Sequence, residues 1–270
     1  MDLLQADVPA DCDTLVIPNP TKDFEEVETN KILDYINKGG KIIWLGEAKI
    51  EDTNTPNINK VLEQFGLSFS KGIIMEEDSS KMILESPELI LTNITYHDIT
   101  KDLSNVVVAS AGRINIESDE KLKELNVTVN KLLSTSEKSF YREDFSIQKT
   151  SKTDTDESGP FTVGAEFVKK INDTESKLIA FSNCDFVTDM GIKSGNTQLK
   201  LINLYDNKDL ILNSIAYLTD RGDTIRIRKD TGYVTYKATQ KQDNIVRLII
   251  SVEDSGTGMK AEDINKIFTK

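Results

Sequence analysis

Few side chains in this 270-residue sequence could support nucleophilic catalysis. The chain has one histidine, His97, and a Ser-His-Asp or Cys-His arrangement would have to use it. His97 lies in the polar stretch Tyr96–Thr100, and no G-x-S-x-G motif occurs in the sequence. A hydrolase acting through His97 stays open as a minor hypothesis. We expect a structural loop histidine and no catalytic residue.

The two cysteines, Cys12 and Cys184, are far apart in the sequence. They form neither a zinc-binding pattern nor a C-x-x-C redox motif, so we expect no metal site. A disulfide between them stays open, although two small buried thiols are the favoured interpretation.

Polar residues that could bind a ligand follow three segments predicted as buried strands. The candidates are Asn19, Glu47, Asn183 and Asp185. In an open α/β sheet the ligand crevice lies at the carboxyl ends of the strands, which is where these residues would meet. The alternative is that Asn183 and Asp185 satisfy backbone groups at a strand-to-helix turn.

The elements that would position these residues follow a βαβ pattern. Thr14–Pro18 is a short apolar strand, a helix opens at Asp23, and Gly39-Gly40 ends that helix before the apolar strand at 41–46. A second strong helix is predicted from Asp206 or Asn207 through Thr219. The pattern predicts an α/β fold with a mostly parallel central sheet flanked by helices.

The domain organisation predicted from composition has three parts. Residues 1–228 form the α/β domain, with an irregular, β-rich and antiparallel-leaning insertion at about 118–171. The apolar-free stretch 149–160 within it is predicted to be an exposed, mobile loop. Residues 229–250 form an appended strand or hairpin, and residues 251–270 form a tail.

The charge balance narrows the class of partner. The sequence carries 33 Lys and Arg against 45 Asp and Glu, a net charge of −12, which disfavours nucleic acid as a partner. No apolar run is long enough to cross a bilayer, and the first residues lack the basic and apolar regions of a signal peptide. The segment 221–247 has the opposite charge balance to the rest of the chain, with seven basic residues against three Asp.

Over about residues 8–250 the chain resembles the GldG-type family, the gliding-motility-associated auxiliary components of ABC transport systems. The resemblance rests on four stretches in the family's order, at 11–18 with 34–41, 97–103, 179–186 and 207–218. It implies a flavodoxin-like or amidotransferase-like domain without a catalytic nucleophile. It also implies ABC permease and ATPase subunits as partners, on the extracytoplasmic face of the bacterial cell membrane. Family members carry flanking transmembrane helices that this sequence does not show, and the basic 221–247 segment would then approach the lipid headgroups.

The last twenty residues resemble a different family, the ATPase domain of histidine kinases. The stretch Asp254-Ser255-Gly256-Thr257-Gly258-Met259 is similar to its first glycine box. The resemblance implies that Asp254 accepts the adenine amino group, while Gly256 and Gly258 let the backbone turn beside ATP bound with magnesium. No second glycine-rich phosphate lid follows, so a truncated site is expected. The main hypothesis is therefore a non-catalytic binding or scaffolding domain without a cofactor, and the alternative is a fragment of an ATP-binding signalling protein.

Overall fold

The computed structural model describes residues 1–194, 197–220, 233–241 and 245–253. The chain divides into two compact units. One is Leu3–Ile225, and the other is Arg226–Lys270 together with Met1–Asp2. The proposed nucleotide-binding residues Asp254, Gly256 and Gly258 lie outside the described residues.

The helices are α1 (Glu26–Asn37), α2 (Pro56–Glu63), α3 (Asp119–Leu125) and α4 (Asn207–Leu218). The strands of the first unit are β1 (Leu15–Pro18), β2 (Lys41–Leu45), β3 (Leu67–Phe69), β4 (Ile73–Met75), β5 (Met82–Ile83), β6 (Ser86–Leu91), β7 (Asn93–Ile94), β8 (Val107–Ala109), β9 (Ile114–Ile116), β10 (Val127–Ser134), β11 (Phe140–Arg142), β12 (Glu157–Ser158), β13 (Thr162–Ile171), β14 (Thr174–Phe181), β15 (Gly191–Ser194) and β16 (Thr197–Lys200). None of the helices in the described ranges is long and apolar enough to cross a membrane.

The central sheet has six strands in the order β1-β2-β14-β13-β10-β7. β1, β2 and β14 run parallel, whereas β14-β13, β13-β10 and β10-β7 are antiparallel pairs. The prediction of a mostly parallel sheet is therefore wrong, and the fold is a mixed α/β fold. A flavodoxin-like architecture is not confirmed. The physical reason lies in the connection between β13 and β14. Two residues join them, with Asn172 at φ 51°, and so short a turn allows only antiparallel pairing.

The segment 118–171, expected to be an irregular, β-rich and antiparallel-leaning insertion, supplies two interior antiparallel strands of this sheet. β10 and β13 pair along most of their length, and β13 is buried on both faces over residues 163–167. The charged residue Glu166 interrupts this buried run. The hydrophobic pattern of the sequence therefore did not indicate that β13 lies in the middle of the sheet.

The two faces of the sheet are covered by different helices. α4 packs against the face that includes Ile43, Ile179 and Phe181. α1 and α2 cover the opposite face around Trp44 and Phe167. Both layers follow from the alternation of side chains along each strand.

Helix α1 begins later than predicted. Glu25 is its N-cap residue, and a capping box links Glu25 with Glu28. Asp23, expected to open this helix, instead accepts hydrogen bonds from the backbone N–H groups of Asn57 and Ile58 at the start of α2. The predicted second helix agrees with α4, Asn207–Leu218.

The 149–160 stretch is anchored rather than fully exposed. Arg142 donates to both carboxylate oxygens of Asp156, at 3.2 and 2.7 Å, and both side chains are buried. Arg142 also donates to the carbonyls of Lys149 and Ser151. The loop is therefore tied to β11 by a buried ion pair.

The C-terminal unit contains a hairpin. Its strands are β17 (Tyr233–Lys241) and β18 (Ile245–Glu253), which pair antiparallel from Tyr233 opposite Glu253 to Lys241 opposite Ile245.

Candidate functional site at the carboxyl edge of the parallel strands

Asn19 and Glu47 meet at one edge of the sheet. Because β1 and β2 are parallel neighbours, the residues that follow them emerge side by side. The Asn19 amide donates to a carboxylate oxygen of Glu47, and the Asn19 backbone N–H donates to the Leu45 carbonyl at 2.6 Å. Asn19 has a positive φ of 36°, which bends the chain immediately after β1. The structure thus brings these two predicted residues together.

Asn183 is near this edge, but its side chain is fully engaged. Its amide oxygen accepts from the backbone N–H groups of Ala109 and Phe186, and its amide nitrogen donates to the Ala109 carbonyl at 2.6 Å. The residue is completely buried. Asn183 therefore joins β14 to β8, in the backbone-satisfying role that was the alternative prediction.

Cys184 and Asp185 follow β14 at the same edge of the sheet. The Cys184 thiol contacts an Asp185 carboxylate oxygen at 3.9 Å. Burial, together with the negative charges of Asp185 and Glu47, raises the pKa of the Cys184 thiol to about 12. Burial also raises the pKa of Asp185. We call Asn19, Glu47, Cys184 and Asp185 the carboxyl-edge cluster.

The carboxyl-edge cluster is suited to binding rather than to nucleophilic attack. A thiol with so high a pKa stays protonated near neutral pH, and a thiol is a poor nucleophile. Two carboxyl groups and an amide offer acceptors for a ligand that donates hydrogen bonds. Within the described ranges, no three His, Cys, Asp or Glu side chains are grouped so that they could hold a metal ion.

His97 has both ring nitrogens occupied. The Ile99 backbone N–H donates to Nδ1 at 3.2 Å, and Nε2 lies 3.1 Å from Oε2 of Glu166. These partners assign the proton of the neutral ring to Nε2. Neither nitrogen is free to act as a base, so the geometry favours the structural role predicted for His97.

The buried carboxylate beside His97 was missed by sequence reasoning. Glu166 is completely buried on β13 and also accepts from the Asn130 amide at 2.8 Å. The Tyr217 ring of α4 packs edge-on against His97, with ring centroids 5.3 Å apart. Burial and the neighbouring Glu166 raise the pKa of Tyr217. A signal existed, since Glu166 is the only charged residue in the stretch 161–168.

A cavity of about 560 Å³ lies at the opposite, amino edge of the parallel strands. It was not predicted. Its lining residues, which define what we call the amino-edge cavity, are Asp7, Val8, Pro9, Ala10, Cys12, Asp13, Lys31, Asp34, Tyr35, Lys38, Gly39, Gly40 and Lys41.

Two hydrogen-bonding side chains that line this cavity are Lys31 and Tyr35. The Lys31 ammonium group donates to the carbonyls of Leu3 and Ala6 and pairs with Asp7 at 3.2 Å. The Tyr35 hydroxyl contacts the Cys12 carbonyl at 3.2 Å. Burial, as the largest cause, raises the pKa of Tyr35, so its hydroxyl stays protonated and remains a donor.

Comparisons with solved structures found matches at low sequence identity. The structure titled "mmIFT52 N-terminal domain" matches with a TM-score of 0.52 and 15% identity, over 77% of each chain. A ThuA-like protein from Bacteroides uniformis has a TM-score of 0.43 and 14% identity, over 76% of this chain and 69% of that one. The cytoplasmic protein STM3548 from Salmonella typhimurium has a TM-score of 0.39 and 12% identity, over 76% and 70%.

Among curated protein sequences, none matches this chain. A family model described as "ABC-type uncharacterized transport system" matches residues 2–214, which include the six-stranded sheet, most of α4 and the carboxyl-edge cluster. The chain therefore belongs to this family of auxiliary components of ABC-type transport systems.

Proposed function

We propose that this chain is a non-catalytic binding domain of a GldG-type ABC transport system. In this proposal it works on the extracytoplasmic face of the bacterial cell membrane, beside the permease and ATPase subunits. Membership of the transport family supports the general role. The carboxyl-edge cluster is the surface that we assign to binding.

One observation carries the proposal. At the edge where α/β sheets bind ligands, the chain presents Asn19, Glu47 and Asp185, whereas the neighbouring thiol of Cys184 is held protonated. His97 does not supply a catalytic base, because both of its ring nitrogens already have partners. The carboxyl and amide oxygens of this cluster can accept hydrogen bonds, and no nucleophile beside them is available for chemistry. We therefore expect the cluster to recognise a hydroxyl-bearing or cationic group on a ligand or partner.

The kinase-type alternative gains no support from the described residues. Asp254, Gly256 and Gly258 lie beyond them, and the family match ends at residue 214.

A co-purification experiment tests the proposed role. The full chain, tagged and expressed with the permease and ATPase subunits of its own transport system, is expected to retain them in detergent. Glu47→Gln combined with Asp185→Asn should weaken retention at least tenfold. The matched control is Glu63→Gln, at an exposed position at the end of α2.

Two results would contradict the proposal. Equal retention by the double variant and the control would remove the carboxyl-edge cluster from the interaction. ATP-dependent or hydrolytic turnover that a single substitution abolishes would contradict a non-catalytic role. The extracytoplasmic assignment fails if a protease added to intact spheroplasts leaves the chain uncut while it cuts an extracytoplasmic marker.

A further inference from the structure

The amino-edge cavity lies at the edge of the sheet opposite the carboxyl-edge cluster. One side of the cavity is the segment 7–13, which contacts α1 through the ion pair of Asp7 with Lys31 and the hydrogen bond from the Tyr35 hydroxyl to the Cys12 carbonyl. Its floor is the Gly39-Gly40 turn. A Cβ added at Gly40 would overlap the Tyr35 ring, so glycine is needed where the backbone approaches this ring. The volume of about 560 Å³ falls within the range of small-molecule pockets.

The charged side chains that line the cavity have a net charge of zero. Three carboxylates, Asp7, Asp13 and Asp34, face three ammonium groups, Lys31, Lys38 and Lys41. A site of this composition favours a ligand whose own net charge is zero but which carries both signs.

Two of the three lysines are already engaged. Lys31 makes three contacts, to two carbonyls and to Asp7, which use its three donor hydrogens. Lys41 pairs with Asp220 at 3.0 Å. Among the described residues, Asp34 and Lys38 have no ion-pair or side-chain hydrogen-bond partner, so they are the groups that remain for a ligand.

The position of these two groups on α1 matches a short zwitterion. Asp34 and Lys38 are four residues apart, so their Cβ atoms are about 6 Å apart on one helix face. An extended dipeptide spans at most about 7 Å. Lys38 is the C-cap residue of α1, so its ammonium group lies where the partial negative charge of a helix C-terminus favours a cation.

We propose that the amino-edge cavity binds a zwitterionic ligand of the amino acid or short-peptide class. Asp34 takes the ligand's ammonium group, and Lys38 takes its carboxylate. Val8, Pro9 and Ala10 form the apolar wall that receives the ligand's side chains. This assignment is independent of the carboxyl-edge cluster, because the two sites lie at opposite edges of the sheet.

A titration of the full chain with L-alanyl-L-alanine, followed by NMR of the backbone amides, tests the proposal. We expect saturable shifts confined to residues 7–13 and 31–41. Asp34→Asn and Lys38→Gln should each weaken binding at least tenfold. The matched controls are Glu120→Gln and Lys123→Gln on the exposed face of α3, which should leave binding unchanged.

Blocked dipeptides separate the two contacts. N-acetylation of the probe should weaken its binding to the native chain but cause no further loss in Asp34→Asn, because the contact is already gone. Amidation of its carboxyl end should do the same with Lys38→Gln. The proposal is overturned if no shift saturates at millimolar dipeptide, if the shifts lie elsewhere, or if the α1 variants bind as the α3 controls do. None of these outcomes bears on the co-purification test at Glu47 and Asp185.

Discussion

Nε2 of His97 lies 3.1 Å from Oε2 of Glu166, a carboxylate that is completely buried in the central sheet. This contact joins the 95–100 loop to β13, and the Tyr217 ring packs against it from α4. A buried carboxylate must be matched by donors, since an uncompensated charge in the interior is strongly destabilising. The cluster therefore stabilises the fold at the point where three elements meet.

Replacing His97 by Ala should destabilise the chain, because Glu166 then loses its imidazole donor while it stays buried. We expect a loss of about 2 kcal/mol in the free energy of unfolding. Urea denaturation followed by circular dichroism measures it. Asp98→Asn, at a neighbouring exposed position, is the control and should change little. If His97→Ala unfolds at the same urea concentration as the native chain, the contact between His97 and Glu166 does not stabilise the fold.

The protonation of the His97 ring can be observed directly, since the chain has one histidine. Because Nδ1 accepts from the Ile99 N–H, the neutral ring should carry its proton on Nε2. ¹⁵N NMR of histidine-labelled protein at pH 8 distinguishes the two tautomers. A spectrum of the Nδ1–H form, or an equal mixture, would contradict the geometry.

Stability should fall in acid through Asp156. Burial opposes its ionisation, but the hydrogen bonds from Arg142 and Thr153 outweigh that effect and hold the pKa of Asp156 below its ordinary value. A depressed pKa in the folded state stabilises the fold above the unfolded value of about 3.9, and this contribution disappears as the pH falls through the folded value. Urea unfolding between pH 7 and pH 3 should therefore show a smaller pH dependence in Asp156→Asn than in the native chain.

Removal of the partner provides a second measure of this ion pair. Arg142→Met leaves Asp156 buried without its guanidinium, which should cost roughly 3 kcal/mol. It should also release the 149–160 loop, seen as faster limited proteolysis within that loop. Lys138→Met, at an exposed lysine that pairs with Asp78, is the matched control. Proteolysis at the control's rate would show that the loop does not depend on Arg142.

The two cysteines should react with an alkylating reagent at different rates. Burial and the charges of Asp185 and Glu47 raise the pKa of Cys184 to about 12, so its thiolate fraction at pH 8 is very small. Iodoacetamide followed by mass spectrometry should modify Cys12 well before Cys184. Glu47→Gln removes one of the two charges and should accelerate the reaction of Cys184. An unchanged rate in that variant would show that Glu47 does not act on the thiol.

The local elements of this fold could be derived from sequence to different degrees. The apolar run and turn around Thr14–Pro18, the Gly39-Gly40 helix end and the periodic helix that became α4 are local signals, and the structure shows each of them. The meeting of Asn19 and Glu47 also followed from sequence, because neighbouring parallel strands end at the same edge. Asn183 could not be assigned in this way, since its partner Ala109 is distant in the chain.

The sequence by itself determined the βαβ start of the domain, the helices α1 and α4 and the acidic character of the chain, because propensity, periodicity and charge are properties of adjacent residues. Only the tertiary structure decided that the sheet is largely antiparallel, that 118–171 supplies two of its interior strands, and that Glu166 lies buried beside His97. Strand order, ion pairing and cavities such as the one at the amino edge join residues that are remote in the chain. They depend on which surfaces pack together, and one sequence does not encode that choice locally.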